Sequence, residues 1–126
     1  MSVLNPPEPI RPDEMRKRDR AATAELKAAR DAAEREPSDP RHWISLGVVL
    51  IGLRHWAEAV KALQRGIELE PAYAEADARL FLADALVGAG RMAEARRQWR
   101  MVVAMEPCYP SYEEPMETAR RKLAQH

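Results

Sequence analysis

The chain has 126 residues, with 20 basic side chains against 20 acidic ones, so its formal net charge is zero with histidine neutral. That length suits one domain with its own core. Balanced charge supplies no general attraction to phosphate backbones or anionic bilayers, so neither a nucleic acid nor a membrane is expected as a partner.

Cys108 is the single cysteine, which excludes an intramolecular disulfide and makes a reducing, cytoplasmic setting the simpler expectation. The opening residues, MSVLNPPEPIRPDEM, contain no apolar signal-like core. An apolar run such as Val48 to Ile51 is far too short to cross a bilayer.

Proline breaks helix interiors but suits first turns and the residues after a helix end, so the ten prolines divide the chain into helical windows. Residues 1–11 read as an extended, mobile tail. Pro12 followed by Asp13 and Glu14 starts a helix, with two acids against the positive end of its dipole. Met15, Ala22, Leu26, Ala29 and Ala33 recur on one stripe, so this helix runs to about Arg35. Its 12–36 segment is read as an N-terminal cap. The pairs Glu14 with Arg18, Lys27 with Asp31 and Asp31 with Arg35 have i,i+4 spacing. The part around residues 13–22 overhangs a helix of ordinary length.

Asp39-Pro40 is a second start signal, an N-cap followed by a first-turn proline. Trp43, Leu46, Gly47 and Leu50 then keep helical spacing. After a break near Gly52 to His55, a helix from about Trp56 to Leu69 places Ala59, Val60, Leu63 and Ile67 on one face. Pro71 ends it. The cycle then repeats, with a helix from about Tyr73 to Val87, a Gly88-Ala89-Gly90 turn and a helix from about Met92 to Met105 closed by Pro107. Ser111 and Glu114 have capping-box spacing and open a last helix through Met116, Ala119 and Leu123. No segment alternates with period two, so the fold class is all-α.

Two windows carry the same pattern. Trp43-x2-Leu46-Gly47-x2-Leu50, Ala59-x3-Leu63 and Pro71 are followed by Arg79-x2-Leu82-Ala83-x2-Leu86, Ala95-x3-Trp99 and Pro107. The chain therefore resembles the tetratricopeptide repeat family, with repeats at 40–73 and 74–109 and a C-terminal capping helix at 111–126. The resemblance implies antiparallel helix pairs stacked in a right-handed solenoid. A pair cannot bury its apolar face alone, and stacked copies can. Pro37 and Pro71 are 34 residues apart and Pro71 and Pro107 are 36 apart, so the second repeat has two extra residues. A longer first helix, or a kink near Ala74, is the expectation. Arg79 stands where the family has a large apolar residue and is expected to be exposed or to snorkel.

The resemblance also implies a concave groove that takes a peptide or helix of a protein partner. Its positions here are Arg41, Ile44, Val48 and Ile51 in the first repeat, and Asp77, Leu80, Phe81, Asp84 and Val87 in the second. Relatives that hold acidic chaperone tails use lysines, an arginine and two asparagines. Val48 and Phe81 stand at such positions, so that clamp is absent. No nucleophile, acid–base pair, phosphate loop or metal-ligand spacing is recognisable, and His42 and His55 are too far apart on one helix to share a metal. The expectation is a non-catalytic adaptor without cofactor or metal. The alternative is a self-assembling module that forms a homo-oligomer through the N-terminal helix or the groove.

Overall fold

The computed structural model describes residues 9–126, and the expected tail over 1–11 lies outside them except for Pro9, Ile10 and Arg11, which are exposed and non-helical. The prolines set the boundaries of six helices: α1 (Pro12–Arg35), α2 (Pro40–Gly52), α3 (Trp56–Glu68), α4 (Glu75–Gly88), α5 (Met92–Val103) and α6 (Glu113–Gln125). Short 3-10 turns at Ala72–Ala74 and Pro110–Tyr112 lead into α4 and α6. No strand occurs among the described residues.

Helices adjacent in the chain pack on one another, and α2 also meets α4, which in turn meets α6. The even-numbered helices thus form one row, with α1, α3 and α5 alternating with them, an all-α, repeat-like architecture. Leu46, Leu50, Ala59, Val60 and Leu63 bury the first pair, and Leu82, Leu86, Ala95, Trp99 and Val102 bury the second. Small residues let the axes approach. A Cβ added at Gly47 would lie 2.5 Å from the Leu63 Cγ. Ala83 and Ala119 follow Gly47 at intervals of 36 residues and are fully buried. By this register α6 is a third member of the even-numbered row, although the sequence suggests only a cap.

The two extra residues of the second unit are split. One lies in the 3-10 turn after Pro71 and the other in α4, which has 14 residues against 13 in α2. The α2–α3 and α4–α5 turns each contain a left-handed residue. Gly90 supplies it at φ 76°, while Arg54 occupies the matching position at φ 60°.

Two local expectations differ from the structure. Ser111 does not cap α6: its hydroxyl donates to the Tyr73 carbonyl (3.0 Å), and the Tyr112 hydroxyl donates to the Ala72 carbonyl (2.6 Å), tying the two 3-10 turns together. The i,i+4 pairs proposed on α1 do not close. Arg35 donates to the Asp31 carbonyl instead, and the bridge α1 does form joins Arg30 to Glu58 of α3. Arg79 is half-buried, the snorkelling one of the two expected arrangements: its Nε donates to Glu75 at 3.2 Å, and its Nη1 donates to Gln98 of α5 at 3.0 Å.

Opposite signs are expected at the two repeat-defining backbone positions. Gly47→Ala overpacks Leu63 and destabilises by about 1–3 kcal/mol, whereas Arg54→Gly relieves a left-handed backbone and stabilises by about 1 kcal/mol. Trp99, 2 % exposed, fills the second unit, and Trp99→Ala is expected to cost about 3–5 kcal/mol. Denaturant titrations measure all three. A loss below about 0.5 kcal/mol at Trp99 would remove it from the core.

Candidate functional site

Of the nine residues expected to line a groove, Asp77, Leu80, Phe81 and Asp84 line one cavity. In α2, Arg41 is exposed and engages Asp39, while Ile44 packs towards α3, where its Cγ1 would lie 2.9 Å from a Cβ at Gly66. Ile51 is half-buried against the core. Val48, 39 % exposed, lines a cleft with Ala22 and Glu25 of α1 and with Val49, Gly52 and Leu53. The first-repeat set thus splits between the core and the α1 side, because α2 has α1 and α3 as neighbours.

The second-repeat set stays together. Asp77, Leu80, Phe81 and Asp84 share one face of α4 at i, i+3, i+4 and i+7, and they line a cavity whose opposite wall is Thr118 and Lys122 of α6. Trp99 contributes to its floor. Val87 lies one turn beyond, 38 % exposed. Leu80 and Phe81 pack against the core from below, so the groove has an apolar floor between two acidic rims.

Electrostatics distinguish those rims. Partial burial pushes the Asp77 carboxyl above its ordinary value, and the nearby Glu114 adds to the rise. Burial against α6 also raises Asp84, with Lys122 acting in the opposite direction. Neither carboxylate has an ion-pair partner within 4.0 Å among the described residues.

A second polar cluster was not legible in the sequence. Glu36, Asp39 and His42 bring three potential ligand atoms within 4.8 Å of one another at the start of α2. His42 Nε2 lies 3.1 Å from Glu36 and 3.6 Å from Asp39, so this histidine is half-buried and partnered, not an exposed helix end. The i, i+3, i+6 spacing is the signal, but it becomes a cluster only because Pro40 turns the chain at Asp39. The cluster is poorly suited to a cation. Asp39 already accepts from the Arg41 backbone N–H and side chain, which hold its carboxyl down to about 2, and the helix N-terminus favours negative charge. It is a capping network.

Raised carboxyls carry a sign. A carboxylate whose folded pKa lies above its unfolded value destabilises the fold once it is ionised in both states. Asp84→Asn is therefore expected to raise the melting temperature at pH 7. The gain vanishes below the ordinary value of 3.8 and is complete above the elevated folded value. Thermal melts across that range check it, and a variant less stable at pH 7 would show that the carboxylate is favourably paired.

Searches against family models and curated proteins find no match to this chain.

Proposed function

We propose that the protein is a non-catalytic interaction module of the tetratricopeptide repeat type, an adaptor that presents the α4–α6 groove to a peptide or helix of another protein. The observation that carries this reading is the arrangement Asp77, Leu80, Phe81, Asp84: an apolar strip two turns long, bordered by carboxylates with no ion pair within 4.0 Å among the described residues. Apolar strips with charged edges suit amphipathic helices, whose anchors recur every three or four residues. The small-residue series Gly47, Ala83, Ala119, near the middle of each even-numbered helix, supports the family reading.

No helix among the described residues is long and apolar enough to cross a membrane. A protein partner in the cytoplasm fits this, together with the single exposed cysteine. The acidic rims favour a partner segment with basic residues beside its apolar anchors. The two rims are seven residues apart, about 10.5 Å along the helix axis.

Selection from a displayed library of random helical peptides tests the reading. The wild-type chain is expected to enrich apolar–basic sequences, and Phe81→Glu, with its melting temperature preserved, to lose them at least about tenfold. Equal enrichment on both proteins, or none on the wild type, would overturn it.

A further inference from the structure

The face of α1 that packs on α2 through Leu26, Ala29 and Ala33 does not stop where α2 ends. With 24 residues against 13, α1 extends about 36 Å against about 20 Å. Continued towards its N-terminus at helical spacing, the same face carries Ala22, Arg18 and Met15, and Arg11 is the extended N-cap residue just before the helix. Every residue from Arg11 to Ala21 is exposed, and Met15 keeps 51 % of its surface open. Neither Arg11 nor Arg18 makes an ion pair among the described residues.

This strip is the charge complement of the groove on α4. Arg11, Met15 and Arg18 sit at i, i+4 and i+7, and Asp77, Phe81 and Asp84 sit at the same intervals, with Leu80 beside Phe81. Asp77 and Asp84 are about 10.5 Å apart along α4, and Arg18 and the N-cap Arg11 flank Met15 at the same sequence intervals. The strip and the groove lie on different elements of the chain, and neither makes an ion pair within 4.0 Å among the described residues. We propose that the α1 tip of a second copy of this chain lies antiparallel in the α4–α6 groove, with Arg11 on Asp84, Arg18 on Asp77 and Met15 over Leu80 and Phe81.

The flanks are compatible with this placement. Lys122 faces the groove from α6, and Glu14 and Asp19, which flank the α1 strip, give that lysine acidic neighbours. Glu114 adds negative charge on the Asp77 side. An arginine at each rim would oppose the burial that holds both carboxyls up, and at Asp77 the added repulsion from Glu114. The proposal rests on the reading of the α4–α6 groove as a docking surface, and it adds that the chain itself competes for that surface at high concentration.

Exposed ion pairs are individually weak, so the association is expected in the micromolar-to-millimolar range. Light scattering of the full chain from about 10 µM to about 1 mM at low salt should show a mass rising above 14.3 kDa, and the rise should shrink in about 1 M salt. The groove-reversed variant Asp77→Arg/Asp84→Arg and the tip-reversed variant Arg11→Asp/Arg18→Asp should each associate at least about tenfold more weakly. Mixed together they should associate again, because each then meets an opposite charge. A wild-type chain monomeric throughout, association indifferent to both reversals, or reversals that mixing does not rescue would each overturn the proposal. Should a reversed variant lose its helical circular dichroism, the neutral pair Asp77→Asn/Asp84→Asn replaces it, and unchanged association there would overturn the proposal equally. A chain that stays monomeric yet selects peptides through Phe81 would sink self-docking and leave the groove as a partner site.

Discussion

The structure depends on how closely helix backbones can approach at one recurring position. Gly47 leaves room for the Leu63 side chain, and Ala83 and Ala119 keep the later helices of the row close in turn. Close approach lets short helices of 12 to 14 residues bury enough apolar surface to hold together. Separate contacts of α2 with α4 and of α4 with α6 complete one row, and that row creates a face on which side chains seven residues apart can act together. The groove therefore follows from the packing.

Much of this was readable before any coordinates, because the signals were local and strong. Proline positions and Asp39 marked the helix starts, and Gly88-Ala89-Gly90 marked a turn. Trp99 and Ala95 declared their burial through repeat spacing. What stayed hidden depended on contacts between distant segments. Ser111 has the spacing of a cap, yet its hydroxyl is taken by a carbonyl 38 residues earlier. Arg79 looks misplaced until Glu75 and Gln98 supply acceptors for its head group.

The candidate site divides along the same line. Residues on one face of one helix, Asp77 through Asp84, were brought together as the period requires. Ile44 and Val48 belong to a helix with neighbours on both sides, and those neighbours decided where each side chain went. Periodicity specifies a face of a helix; which neighbour covers that face is a tertiary outcome.

The two hydroxyl contacts from the Pro110–Tyr112 turn to Ala72 and Tyr73 have a kinetic meaning. In a simple stack each unit feels only its neighbours, and a terminal helix can fray by itself. Here the entry to α6 is fastened to the entry to α4, a whole unit earlier. Peeling away α6 would break both fastenings and uncover Trp99, on which His126 also stacks with ring centroids 5.5 Å apart. The C-terminal half is thus built to open as a block, and its slowly exchanging amides should share one opening rate instead of forming a gradient towards the chain end.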